Sequence, residues 1–285
     1  MRLPCIGVKG VLVNPQVFPR IEEKSPGAST GCPSITVAGV LKAFAGGRLF
    51  GTLHGNPPPR VLALHGWGRT SRDFDAALAG CDAVALDLPG FGATPPPTEA
   101  WGAAGYAAAV AEAIEEPVVV VGHSFGGRVA VHLATARPEL VRALVLTGVP
   151  LVRPPGAVRR KPAWRFRLAR ALHRRGVVGD ERMEAVRQRY GSADYRAAQG
   201  IMRAVHVVAV SETYEEQLRA LRCPVELVWG EGDADVPLSV ASAAAGLVAG
   251  ATATVTVLPG VGHLVPTAAP AELRAAVDRA LRAAP

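Results

Sequence analysis

Short apolar runs recur along this chain, separated by stretches with helical spacing. Val61-Leu62-Ala63-Leu64, Ala83-Val84-Ala85-Leu86, Val118-Val119-Val120-Val121 and Ala143-Leu144-Val145-Leu146 contain no polar residue. A half-exposed strand alternates apolar and polar side chains, so a strand apolar at every position needs cover on both faces. Alternation with helices supplies that cover and implies a parallel sheet wrapped on two sides. Residues 35–41 and 48–54 read as a hairpin around Gly46-Gly47 ahead of these strands. Helices are expected from a capping box at Thr70 and Asp73 to about Ala79, then over 106–115 and 125–136. The alternation breaks at Pro150 and resumes with a strand over 225–229, a helix over 239–248, a strand over 252–258 and a last helix from Ala271.

This pattern divides the chain into a loosely ordered extension (1–34), a core (35–150 and 223–285) and a helical cap inserted between two strands (151–222). Five prolines leave no helical period in the extension. With 285 residues, 49% hydrophobic and 19% charged, the chain can bury a large core, which excludes wholesale disorder. No collagen-like period, sustained heptad or internal repeat is visible. Residues 236–262 carry no charge, but Gly250 and Pro259 interrupt them, so they read as a buried helix followed by a buried strand rather than a membrane span. Cys5, Cys32, Cys81 and Cys223 form no CxxC and argue against a disulfide framework or a zinc site. The first 20 residues lack the apolar stretch of a secretory signal, and a cytoplasmic location is expected.

Gly122-His123-Ser124-Phe125-Gly126 lies between an apolar strand and a helix. A G-x-S-x-G segment in that context makes a sharp turn that lifts the serine hydroxyl above the sheet edge. The Phe125 N–H then opens a helix, where a developing oxyanion is stabilised. A hydroxyl needs a base, and His263 follows the last strand, at the same carboxyl rim as Ser124. His132 lies inside a helix, His173 and His206 in the cap, and His54 in an early strand. The base in turn needs an orienting carboxylate. Asp233 follows the strand over 225–229, with Glu231 and Asp235 as its neighbours. Thr147-Gly148-Val149, after the preceding strand, supplies none.

The order Ser124, Asp233, His263, with the serine turn and the insertion, resembles the α/β-hydrolase fold family from about Ile35 to the C-terminus. His65-Gly66-Trp67-Gly68 is similar to that family's H-G segment, and the resemblance gives Trp67 the second oxyanion N–H beside Phe125. His65 itself reads as an ordered loop histidine. Asp87-Leu88-Pro89-Gly90-Phe91-Gly92 resembles the family's D-x-P-G-x-G loop. Gly230 to Pro237 resembles its G-x-x-D-x-x-V-P stretch, which selects Asp233 over Asp235. Serine, rather than the aspartate of halide- and epoxide-cleaving relatives, implies acyl transfer to water, with no metal or organic cofactor. The expected activity is that of a carboxylesterase on a small-molecule ester or acyl substrate. The rivals are a lyase, C–C hydrolase or perhydrolase on the same triad, and a non-catalytic ligand-binding protein.

The net charge of +7 rests on 27 arginines and only 4 lysines, as a GC-rich coding bias would give. Its placement says more: residues 140–179 hold ten basic side chains and no acidic one. Over 164–175 a helix is expected with Trp164, Leu168, Ala171 and Leu172 on one face, so that Trp164 and Leu168 either line an acyl pocket or belong to the core of the cap. Arg167, Arg170 and Arg174 share another face. Such a stripe is either an ordinary solvated face or a surface for an anionic substrate or an acidic partner. The chain is in this respect similar to methyl esterases that act on acyl chains held by acidic carrier proteins. No nucleic-acid module accompanies the charge.

Overall fold

The computed structural model describes residues 39–153, 164–190 and 192–283. The 1–34 extension, the first residues of the expected opening strand and part of the expected cap lie outside them. Among the described residues eight strands form one sheet: β1 (Val40–Phe44), β2 (Leu49–His54), β3 (Val61–Leu64), β4 (Ala83–Asp87), β5 (Val118–His123), β6 (Val141–Thr147), β7 (Val225–Gly230) and β8 (Ala253–Leu258). Their order is β1-β2-β4-β3-β5-β6-β7-β8. β1 pairs antiparallel with β2, and β2 with β4, while every pair from β4 to β8 is parallel.

The four-valine run of β5 shows why the strands carry no polar side chain. Val118 and Val120 join one buried cluster with Leu62, Leu144 and Trp229. Val119 and Val121 join a second with Ala63, Val145 and Val228. Successive side chains point to opposite faces, and both faces are covered. Helices α1 (Ala103–Ala111) and α2 (Phe125–Ala136) contribute to the first cluster, whereas the long C-terminal helix contributes Leu273, Ala276 and Val277 to the second.

Between β6 and β7 the described residues form α3 (Trp164–Arg174), α4 (Asp180–Tyr190), α5 (Ala193–Ala197), α6 (Gly200–Ala209) and α7 (Glu215–Ala220). After β7 come α8 (Leu238–Leu247), α9 (Val265–Ala268) and α10 (Pro270–Ala283). Among the described residues no helix is long and apolar enough to cross a membrane.

Two expectations about these elements need correction. No α-helix starts at Thr70: residues Ser71–Phe74 make a 3-10 turn, and the Thr70 side chain caps nothing. Asp73 is engaged by Arg69, at 2.7 and 2.8 Å, and the Ser71 N–H donates instead to Asp87 Oδ1 at 2.7 Å. The strand near the C-terminus is not buried throughout either. β8 is the last strand of the sheet, and Val255 and Val257 remain 36% and 40% exposed.

Candidate active site

The turn between β5 and α2 holds Ser124 in a backbone conformation that L-residues rarely adopt, with φ 48° and ψ −112°. Such strain persists only where the surroundings over-determine it. Here the Ser124 N–H donates to Thr147 O at 2.9 Å, and the Gly126 N–H donates to His65 O at 3.0 Å. The turn is thereby tied to the ends of both strands that flank β5. Glycine is required on either side of the serine. A Cβ at Gly122 would lie 2.5 Å from Gly127 Cα, and one at Gly126 would lie 2.1 Å from Leu64 O. Ser124 is left half-buried at the rim.

His263 and Asp233 meet at that same rim, from the loops after β8 and β7. His263 Nδ1 lies 2.8 Å from Asp233 Oδ2. The Asp233 side chain is 1% exposed. Its other oxygen, Oδ1, accepts the N–H groups of Asp235 and Val236 at 3.0 and 2.8 Å. Two backbone N–H groups and one imidazole leave this carboxylate little freedom, and the residue's own N–H donates to Gly230 O at 3.2 Å. Among the described residues the carboxylate bonded to His263 is that of Asp233, and no hydrogen bond joins His263 to Glu231 or Asp235.

The imidazole of His263 lies beside that of His123, with ring centroids 4.9 Å apart. Gly148 permits this placement, because a Cβ there would fall 2.8 Å from His263 Cε1. Among the described residues no hydrogen bond joins Ser124 Oγ to His263. His123 is buried, and its Nδ1 faces Thr147 O at 3.2 Å. Burial, reinforced by repulsion from His263, lowers its pKa to about 3, so it stays neutral beside the pair. Asp233, Asp235 and His263 also bring ligand-type atoms within 4.8 Å of one another, but both Asp233 oxygens are already engaged as described.

His65 is fully buried, with Nδ1 at 2.7 Å from Gly66 O and Nε2 accepting the Leu88 N–H at 2.9 Å. Those two bonds need the neutral ring, and burial lowers its pKa accordingly. His65 therefore joins the loop after β3 to the loop after β4. Asp87 pins the latter, since Oδ2 accepts the Ala93 N–H at 2.9 Å while Oδ1 holds Ser71. Trp67 and Phe125, the candidate oxyanion donors, come together with ring centroids 5.4 Å apart. Neither backbone N–H is hydrogen-bonded among the described residues.

Sequence reasoning did not anticipate the aromatic wall beside these donors. Phe91 lies edge-on to Trp67 at 5.0 Å, and His206 of α6 packs against the same indole at 4.9 Å. Phe91 sits in a recognised loop and was within reach of a motif argument; His206 had no sequence signal. The expectation for Trp164 and Leu168 is not met among the described residues, where they are 66% and 51% exposed. The half-buried side of α3 is instead that of Phe166, Ala169, Leu172 and His173. Phe166 faces Tyr195 at 6.4 Å and His173 Nδ1 bonds Val178 O at 2.8 Å, contacts that set the rotation of the helix.

Comparison with known proteins agrees with this architecture. Over 95 residues, 31% of this chain and 36% of the relative, the sequence is 45% identical to lipase LipV of Mycobacterium tuberculosis. It is 30% identical over 215 residues to a pimeloyl-[acyl-carrier protein] methyl ester esterase of Aromatoleum aromaticum, covering 64% of this chain and 83% of that protein. Several of these matches thus span only about a third of the relative's length. Among solved structures, a serine hydrolase involved in carbazole degradation superposes with a TM-score of 0.62 at 22% identity, over 86% of this chain and 99% of the other. A thermophilic esterase from Thermogutta terrifontis superposes with a TM-score of 0.59 at 22% identity, over 86% and 98%. The model of the alpha/beta hydrolase family matches residues 61–276, from β3 into the last helix, and the chain belongs to that family.

Proposed function

We propose that the protein hydrolyses carboxylic esters through an acyl-enzyme on Ser124. The observation that carries this reading is the strained turn at Ser124, set on the same rim as an Asp233–His263 pair at 2.8 Å. Ser124 Oγ attacks the ester carbonyl while His263 Nε2 takes its proton. The tetrahedral oxyanion accepts the N–H groups of Phe125 and Trp67. Collapse expels the alcohol, which leaves with the proton from His263. Water then attacks the acyl-enzyme, His263 again taking and returning a proton, and the carboxylic acid departs. Contacts between nucleophile and base tighten in the substrate complex, so His263 closes on Ser124 there. Similarity to esterases and a lipase supports the choice of ester over other bonds.

The acyl group is delivered by an acidic carrier protein docking on α3. Arg165, Arg167, Arg170 and Arg174 are exposed on this helix and Arg175 just beyond it, and the ion pairs of the described residues include none of them. Exposed Trp164 and Leu168 add an apolar component to the same surface. A match with esterases that are named for carrier-bound substrates supports the assignment.

The catalytic reading is tested with p-nitrophenyl esters and a fluorophosphonate probe. Wild type turns over the ester and is labelled; Ser124→Ala does neither while keeping its circular dichroism. Turnover by Ser124→Ala refutes the assignment. For the carrier, Arg167→Glu, Arg170→Glu and Arg174→Glu combined should depress turnover of a carrier-bound methyl ester and spare the free one. Equal effects on both remove the docking site.

A further inference from the structure

Arg128 belongs to α2, the helix that follows Ser124, and takes no part in the chemistry above. It lies one turn beyond the serine, whose carbonyl oxygen accepts the Arg128 N–H at 3.4 Å. Its guanidinium crosses to the helices between β6 and β7, where Nη1 donates to Ala209 O at the end of α6. The last carbonyls of a helix have no partner within it. Here the Val210 and Ser211 N–H groups turn back to His206 O and Val208 O, at 3.0 and 2.9 Å, and Ala209 O is left to Arg128. A cation at a helix C-terminus is also favoured by the helix dipole.

For stability alone the arrangement is a poor one. Burial lowers the pKa of Arg128, offset in part by Tyr214 and the Glu212 carboxylate. Its Nε is buried and has no hydrogen-bond partner. The guanidinium carbon lies 5.8 Å from the centre of the Tyr214 ring. Glu212 is engaged elsewhere, accepting the Ala103 N–H at the start of α1 at 3.1 Å and the Tyr214 hydroxyl at 2.6 Å. An incompletely paired buried cation is often matched in stability by an apolar side chain of similar volume. What Arg128 adds is the location of α6.

That location governs contacts at the site. His206 of α6 packs at 71° and 4.9 Å on the indole of Trp67, whose backbone N–H is a proposed oxyanion donor. Phe91 and Phe125 meet the same indole at 5.0 and 5.4 Å. The backbone around Trp67 is lightly held by comparison. Among the described residues the backbone hydrogen bond within 66–69 joins the Arg69 N–H to Gly66 O at 3.2 Å, and Gly68 takes φ 68°. The direction of the Trp67 N–H therefore depends on the clamped indole.

We propose that Arg128 is a positioning residue for the oxyanion pocket: from the helix of the nucleophile it fixes the end of α6, and α6 seats His206 against Trp67 so that the Trp67 N–H meets the developing oxyanion. This rests on the esterase reading above. The nucleophile turn and the second donor lie on separate loops, and α6 couples one to the other.

The test is a double-mutant cycle in the full chain, with Arg128→Met, His206→Ala and the two combined. For each, kcat and KM are measured on a p-nitrophenyl ester, with active sites counted by fluorophosphonate labelling so that unfolded molecules do not enter kcat. Arg128→Met should lower kcat about ten-fold, short of the roughly 100- to 1000-fold that loss of an oxyanion donor costs. KM should stay within about two-fold, as expected when an interaction made only in the transition state is weakened. The double variant should lose little more than the worse single one, because both changes act through the same contact. Arg128→Lys, which can still donate to Ala209 O, should recover part of the loss. If Arg128→Met does not fold, Arg128→Gln replaces it in the cycle and is judged by the same outcomes. Unchanged kcat in a folded variant, a loss confined to KM, additive losses or no recovery by Arg128→Lys overturn the proposal while leaving the esterase reading intact. Absence of turnover of every ester by wild type overturns that reading and the proposal with it.

Discussion

Replacing Asp233 by Asn keeps the size of the side chain and exchanges one acceptor oxygen for an NH2 donor. In the native structure Oδ1 accepts two backbone N–H groups, from Asp235 and Val236, and Oδ2 faces His263 Nδ1. An asparagine can satisfy the two N–H donors only with its carbonyl oxygen. Its NH2 group must then point at His263, which can respond only by presenting a lone pair at Nδ1. The proton moves to Nε2, the nitrogen required to accept from Ser124. The substitution thus locks the base in the wrong tautomer and preserves every backbone contact. In triads of this type the corresponding loss in kcat is about 10,000-fold, or about 5.5 kcal/mol at roughly 1.4 kcal/mol per factor of ten. Stability should hardly change, because the loop keeps its hydrogen bonds. The assay is kcat for a p-nitrophenyl ester across pH 6–10, with thermal unfolding measured in parallel. A loss smaller than about ten-fold at unchanged Tm would refute the tautomer argument, because Asp233 would then not be orienting the base.

Gly126→Ala forces a Cβ to within 2.1 Å of the Leu64 carbonyl oxygen, whereas Gly246→Ala in α8 meets nothing within 4 Å. The first should cost about 2–3 kcal/mol and lower Tm by about 5–10 °C; the second should add about 0.5–1 kcal/mol, and calorimetry showing equal shifts would contradict the packing argument. Gly148→Ala pushes on the imidazole of His263, and a displacement of this kind costs up to about 100-fold in kcat, an effect that should exceed the loss in affinity for a fluorophosphonate's reversible analogue. His123 is kept neutral in the fold, its pKa lowered from 6.5 to about 3. Below pH 6.5 the unfolded chain therefore binds a proton that the native state refuses, so stability falls as pH drops from there towards 3, by at most about 1.4 kcal/mol per pH unit. Urea unfolding at pH 7, 6 and 5 should show a shallower decline in His123→Asn than in wild type; identical slopes would exclude this group as a source.

What could be read from the sequence was whatever local spacing determines. An all-apolar run must be buried on both faces wherever it lies, so β3 to β6 were legible, and strand–G-x-S-x-G–helix is a self-contained turn. The positions of Asp233 and His263 followed from strands whose carboxyl ends share a rim. The failures depend on side-chain and main-chain partners that residue spacing does not encode, several of them distant in the chain. Asp87 supplies the oxygen that bonds the Ser71 N–H, and Arg69 removes Asp73 from capping, so a valid local helix signal is overruled. α3 is rotated by Tyr195 and Val178, which leaves Trp164 and Leu168 outward although the helical wheel groups them with apolar residues. Uncharged β8 looks like a core strand, but the sheet ends there, and a terminal strand has one neighbour only. His206 reaches Trp67 through the placement of α6, which no spacing within 200–209 encodes.

The reactivity proposed for Ser124 depends on its neighbours in the sheet more than on its own segment. A serine at φ 48° relaxes unless something holds it, and within its own segment the pentapeptide contributes mainly two glycines that tolerate the bend. The restraints come from outside: Thr147 at the end of β6 takes the Ser124 N–H, and His65 at the end of β3 takes the Gly126 N–H. Each of those two residues serves the site again. The chain after Thr147 provides Gly148, where His263 rests, and the chain after His65 provides Trp67, the proposed second oxyanion donor. Strand order alone makes this double use possible, because β5 lies between β3 and β6 with all three parallel. A substitution that shifted either flanking strand by a fraction of an ångström would therefore release the turn and misplace the base or the donor in one step. Catalysis should in consequence fail before global stability does when the ends of β3 or β6 are disturbed.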